Sequence, residues 1–113
     1  MPPEISKTAK VVVFVPSAQA DKVRAALAAA GAGRIGNYSD CSFSVRGVGR
    51  FKPESGATPF VGSVGALEEV EEERIEAVCP IALLASVIAA IKAAHPYEEP
   101  AIEIYPMLDV ADR

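Results

Sequence analysis

The sequence predicts a single α+β domain of element order β-α-β-β-α-β, folded as a four-stranded antiparallel sheet with both helices on one face. Three observations lead there. The β-branched run Val11-Val12-Val13-Phe14-Val15 stands ahead of two alanine-rich stretches whose apolar residues recur at helical spacing. Between those stretches lies a period-two segment, then a connection rich in glycine and proline, then a second extended run. A length of 113 residues with a hydrophobic share of 50% suits one core and one domain.

The chain divides into a frayed lead-in over residues 1–10, the domain over 11–107 and a tail over 108–113. The run from Val11 to Val15 has no polar alternation, which suits a central strand buried on both faces and bounded by Pro16. Ser17 offers a helix cap. Val23, Ala26, Leu27 and Ala30 then share one helical face up to Gly31, which suits a left-handed stop. From Asn37 the period changes to two. Cys41, Phe43 and Val45 fall on one face and Ser42, Ser44 and Arg46 on the other, the pattern of a half-buried strand. Gly47, Gly49, Pro53, Gly56, Pro59, Gly62 and Gly65 interrupt the chain beyond it, so residues 47–66 read as a long bent hairpin connection. Its Phe51, Phe60 and Val61 need a surface to pack on, and a neighbouring subunit would supply one.

The acidic run Leu67-Glu68-Glu69-Val70-Glu71-Glu72-Glu73-Arg74 has no apolar helical stripe and continues into Ile75-Glu76-Ala77-Val78. It is expected as strand, with a bulge where the parity changes between Val70 and Ile75 and with its glutamates forming a solvated face. Pro80 fits the first turn of a second helix striped by Leu84, Val87, Ile88 and Ile91. His95-Pro96 stops that helix, because proline disfavours helical backbone in the residue before it. In the last strand Ile102 and Ile104 face one way and Ala101, Glu103 and Tyr105 the other, until Pro106. Two strand-helix-strand halves interleave in this order into the ferredoxin-like arrangement. One sheet face then stays bare, and a homo-oligomer is the physical expectation.

Composition narrows the partners. A formal net charge of -4 without clustered Lys and Arg argues against nucleic acid. Met1-Pro2-Pro3-Glu4 is no basic leader and the Val11 run is too short for a signal core or a membrane span, so a soluble cytoplasmic protein with no membrane partner is expected. Cys41 and Cys79 lack C-x-x-C spacing and read as buried free thiols, with a bridge between them left open.

Three segments carry a family resemblance: Gly31-Ala32-Gly33-Arg34-Ile35-Gly36-Asn37-Tyr38-Ser39-Asp40-Cys41-Ser42-Phe43, then Gly56-Ala57-Thr58-Pro59-Phe60-Val61-Gly62, then His95-Pro96-Tyr97-Glu98-Glu99-Pro100-Ala101. Over residues 11–107 the chain resembles the inserted domain of the NIF-three-like proteins, often labelled GTP cyclohydrolase 1 type 2 homologues. The resemblance implies a CutA-like or PII-like ferredoxin fold that assembles as a trimer. Full-length relatives hold two metal ions on histidines and carboxylates of a larger core. This chain has one histidine and no such core, so neither that metal site nor the cyclohydrolase label transfers to it.

The chemistry-bearing motifs each have a plainer reading. Gly31-Ala32-Gly33-Arg34-Ile35-Gly36 spells G-x-G-x-x-G, but it follows a helix and opens a strand, the reverse of a dinucleotide site. It reads as a helix stop from which Arg34, Tyr38 and Ser42 could still line a small cleft. His95 with Glu98 and Glu99 is the one cluster that sets imidazole beside carboxylates, and it could hold Zn or Cu if water or a second subunit completed the ligand set. In the alternative, His95 and Tyr97 pack and hydrogen-bond within the turn while the glutamates face water or reach Arg34 or Arg74. Ser39, Ser42 and Ser44 have no histidine nearby in sequence, and Cys41 has no basic neighbour.

Three functions are compatible with these residues. The first is a non-enzymatic trimeric binding or regulatory module, with a small-molecule or divalent-metal site at subunit clefts lined by Arg34, Tyr38, Ser42, His95, Tyr97, Glu98 and Glu99. The second is a purely structural oligomerisation domain of a larger dinuclear-metal protein. The third, a hydrolase-type enzyme, lacks a visible nucleophile, base and cofactor set, so no catalytic residue is assigned.

Overall fold

The computed structural model describes residues 3–109. Its elements follow the expected order: β1 Glu4–Pro16, α1 Ala20–Ala29, β2 Phe43–Phe51, β3 Glu68–Pro80, α2 Leu84–Ala94 and β4 Ile102–Asp109. One turn of 3-10 helix, Ser17–Gln19 before α1 and Ile81–Leu83 before α2, leads from strand to helix in each half. All strand pairs are antiparallel and the sheet order is β2-β3-β1-β4. The α+β, ferredoxin-like expectation is borne out.

The core lies between the helices and one sheet face. β1 contributes Val11, Val13 and Val15, β3 contributes Ile75, Ala77 and Cys79, and Val23, Leu27, Val87 and Ile91 come down from α1 and α2. Each is at most 4% exposed. Burying one valine, leucine or isoleucine side chain stabilises a fold by roughly 1.5–3 kcal/mol, so this layer decides whether the chain folds. On the same face Glu73 is held by the guanidinium of Arg24 on α1 at 2.6 Å, and Arg24 also donates to Ser44 and Asp21.

α1 ends as its sequence predicts. The Gly31 N–H donates to the Ala28 carbonyl at 3.1 Å and the Ala32 N–H to the Leu27 carbonyl at 3.0 Å, the paired bonds of a Schellman stop, with Gly31 at φ +110°. The Gly33 N–H then donates to the Val78 carbonyl at 2.7 Å, which pins the segment after α1 to the far end of β3.

Several boundaries differ from expectation. Residues 4–10 are not frayed: Glu4 and Ile5 pair with β4, and Thr8 to Lys10 pair with β3. Ser17 lies inside a 3-10 turn and makes no cap bond. β2 begins at Phe43 rather than Asn37 and runs through Gly47 and Gly49, so the connection shortens to residues 52–67. β3 has no bulge, since its register with β2 and β1 advances one residue at a time. The parity change is real but has another cause: Val70 belongs to the open face and Ile75 to the helix face. Pro80 closes β3 instead of opening α2. Pro106 sits within β4, where an edge strand tolerates a missing donor. Cys41 and Cys79 are both free thiols, Cys79 buried and Cys41 partly exposed. Residues 1–2 and 110–113 of the expected lead-in and tail lie outside the described residues.

The other sheet face carries no helix. Register places Phe43 beside Glu76, Val45 beside Arg74 and Gly47 beside Glu72 on that face, with Val12 and Phe14 behind them on β1. The β2–β3 hairpin helps to make the molecule long, 51 × 28 × 24 Å.

Candidate functional site

His95 ends α2 in extended backbone, φ -82° and ψ 136°, as the following proline requires. Its ring turns inward and is 7% exposed. Nε2 lies 2.7 Å from the Phe14 carbonyl, which can only accept, so Nε2 carries the proton. Nδ1 accepts the Tyr97 N–H at 3.1 Å. Burial lowers the imidazole pKa, against smaller upward pulls from the Phe14 carbonyl and Glu72, so the ring is neutral at pH 7. Both nitrogens are committed. His95 staples the turn to β1.

That staple positions Tyr97. Its hydroxyl donates to Glu72 Oε2 at 2.8 Å. Burial, then this bond, push the phenol far above its ordinary pKa, so it remains a donor at any physiological pH. Phe51 meets the Tyr97 ring edge-on at 5.7 Å between centroids, Phe60 lies 6.4 Å away and His95 5.1 Å away. Glu72 reaches Tyr97 because β2 has no side chain in its path: a Cβ on Gly49 would collide with the Glu72 carboxylate. The Glu98 carboxylate takes the Thr58 N–H at 2.9 Å and the Thr58 hydroxyl at 3.1 Å, which ties the hairpin connection to the turn. Between connection and turn opens a cleft of about 920 Å³, floored by Phe14, Phe51, Glu72 and Tyr97 and walled by Pro59 and Phe60.

The predicted cleft residues do not gather in one place within the chain. His95, Tyr97, Glu98 and Glu99 belong to this end of the sheet. Arg34, Tyr38 and Ser42 lie in the exposed segment pinned near Val78, six residues along β3 from Glu72, about 20 Å at strand rise. Tyr38 is 76% exposed there. Among the described residues no three His, Cys, Asp or Glu side chains are grouped to hold a metal ion, and Glu98 reaches Thr58 rather than Arg34 or Arg74. The acidic run is only partly a solvated face, since Glu72 and Glu73 are buried.

Sequence reasoning missed Phe14, Gly49, Thr58 and Glu72. A signal existed for one pair. Gly47-x-Gly49 lies in a segment of alternating pattern where no turn is needed, and glycine inside a strand marks a place where another group comes close.

No protein-family model matches the chain. The GTP cyclohydrolase 1 type 2 homolog of Halalkalibacterium halodurans is 54% identical over 98 residues, 87% of this chain and 26% of that protein. The homolog of Mycobacterium tuberculosis is 52% identical over 99 residues, again 26% of its length. A solved Bacillus cereus protein related to NIF3 superposes with a TM-score of 0.79 at 50% identity, covering 95% of this chain and 27% of that one. This chain is similar to one domain-length part of the NIF3-related proteins. It spans about a quarter of the relatives it matches. The divalent cation tolerance protein CutA of Archaeoglobus fulgidus shares the fold, with a TM-score of 0.68 at 19% identity over 93% of this chain and 88% of its own. Of the three motifs that carried the NIF3-related resemblance, the second and third meet at the cleft through Thr58 and Glu98, while the first lies at the opposite end.

No helix among the described residues is long and apolar enough to cross a membrane.

Proposed function

We propose that the chain is an assembly module of a NIF3-related protein, one that joins copies into a homotrimer. The observation that supports this most is the helix-free sheet face. Phe43 is 67% exposed and Val45 48% in the single chain, on a β2 strand paired along only one edge, and Tyr105 on the opposite edge strand is 44% exposed. Apolar side chains next to unpaired backbone donors and acceptors form a template that a sister copy can cover, and closed rings of copies remove such edges. The quarter-length coverage of the relatives supports a role as one module of a larger protein. Two free thiols fit a reducing compartment, and we assign the chain to the cytoplasm.

Light scattering coupled to size exclusion tests this reading. The expected mass is that of three chains, and Phe43→Ser with Val45→Ser should reduce it to one. A single-chain mass for the unaltered protein at micromolar concentration would overturn the proposal.

A second reading, a binding module, is favoured by the formed cleft against the turn. It adds to assembly without replacing it.

A further inference from the structure

Within the single chain Glu72 presents a problem of its own. It is 9% exposed in the floor of the cleft, and among the described residues no Lys, Arg or His lies within ion-pair distance of it. Two basic residues, one on β3 and one on α1, are engaged elsewhere. Arg74 donates to Glu76 at 3.2 Å and lies over the Phe14 ring, and Arg24 holds Glu73. A carboxylate taken out of water without a counter-charge is costly, and one phenol hydroxyl offsets only part of that cost.

What surrounds Glu72 is a set of aromatic rings. Phe14, Phe51, Phe60 and Tyr97 all line the cleft, and the last three are mutually close through Tyr97. Aromatic faces carry negative potential and attract cations that are weakly hydrated. The rim adds to the same sign: of its cations, Arg50 is paired with Glu69 at 3.3 Å and Lys52 with Glu54 at 4.0 Å, while Glu99 stays unpaired among the described residues. A lone carboxylate among rings is a poor cage for a divalent metal, which needs several oxygen or nitrogen ligands. It is a good one for an organic cation.

We propose that the cleft binds a small organic cation, an ammonium group on a compact methyl or methylene frame, with its charge against Glu72 and its carbons against Phe51, Phe60 and Tyr97. The volume of about 920 Å³ accommodates such a molecule with room for a larger attached group. The proposal goes beyond the assembly reading and does not depend on it, because every group it uses belongs to one chain.

The test is calorimetric titration of the whole 113-residue chain with choline and tetramethylammonium, beside 3,3-dimethylbutanol, the neutral isostere of choline. Saturable binding of both cations, with the isostere weaker by about tenfold, is expected. Glu72→Gln keeps the shape and the Tyr97 bond and should weaken the cations about tenfold while leaving the isostere unchanged. Phe60→Ala, on a 54% exposed side chain, spares the fold and should weaken them about threefold. Equal binding of cation and isostere, cation binding indifferent to Glu72→Gln, or no saturable binding at millimolar concentration would each overturn the proposal. So would a cation that splits the oligomer instead of binding to it, which would show that a basic side chain of a sister copy already occupies the cleft. Light scattering on the same samples reports the mass independently, so a failed titration and a failed trimer are told apart.

Discussion

The two faces of the sheet are built from the same strands to opposite ends. Toward the helices, Val11, Val13, Val15 and Ile75 are at most 1% exposed and carry no polar partner. Away from them, Phe43 and Val45 stand in solvent, Glu72 is buried beside Tyr97, and glycines replace side chains on β2. The closed face obeys the rule that apolar area leaves water. The open face breaks it in two ways, with exposed apolar groups and a buried charge, and each exception marks a surface available for something outside the single chain.

The largest effect should come from the closed face. Ile91→Ala removes a fully buried side chain between helix and sheet and is expected to cost about 2–5 kcal/mol, a large part of the roughly 5–15 kcal/mol that holds a domain of this size together. Urea unfolding of the variant measures it. A cost below about 1 kcal/mol would mean that the helix layer is not where the stability lies.

Next comes the seam between strand and turn. Gly49→Ala drives a methyl into the Glu72 carboxylate and should cost about 1–3 kcal/mol through strain and the broken Tyr97 bond. The signature is non-additivity. In Gly49→Ala with Glu72→Ala the clash is gone, so the double variant should be more stable than the sum of the two single losses. Strict additivity would separate Gly49 from Glu72.

A smaller effect depends on pH. The folded state holds His95 neutral with its pKa below the ordinary 6.5, so the unfolded chain binds the proton more readily in the window beneath that value. The contribution is complete above pH 6.5 and is lost as pH falls through 6.5 toward the depressed folded value. Protonation would also set an Nδ1–H against the Tyr97 N–H that it now accepts. Urea midpoints between pH 7.5 and 5 should fall more steeply for the native chain than for His95→Gln. Parallel slopes would remove the staple from the account.

How much of this was legible in the sequence also differs between the faces. The closed face was readable because its apolar residues obey one period at a time: the valine run, the Leu27 and Ile91 stripes, and the alternation ending in Ile104 all specify a side to bury. The order of elements and the helix stop at Gly31 came from local chemistry. The open face was not readable in the same way. Which of several adjacent glutamates goes under the hairpin depends on register, which sets Glu72 opposite Gly47 and beside Gly49, and register is a long-range property. The His95 motif was visible as a turn. The partners that consume its nitrogens, the Phe14 carbonyl and the Tyr97 N–H, are supplied by β1 and by the turn's own backbone path. Pro106 misled as a strand end because its place on an edge cannot be seen until strand order is known.

The smallest expected effect on folding belongs to an exposed aromatic residue of the open face, and it gives the comparison its sharpest form. Phe43 is 67% exposed in the single chain, so Phe43→Ser removes little that the isolated fold has buried and should change its stability by no more than about 0.5 kcal/mol at the dilute limit. In an assembly that covers this face the same change removes an aromatic anchor. The unfolding midpoint of the native chain should then rise with protein concentration by mass action, and that of Phe43→Ser should not. A native midpoint independent of concentration across the micromolar range would leave the exposed phenylalanine without a partner. A variant that lost stability equally at every concentration would return Phe43 to the fold's own packing, and the division of labour between the faces would have to be redrawn.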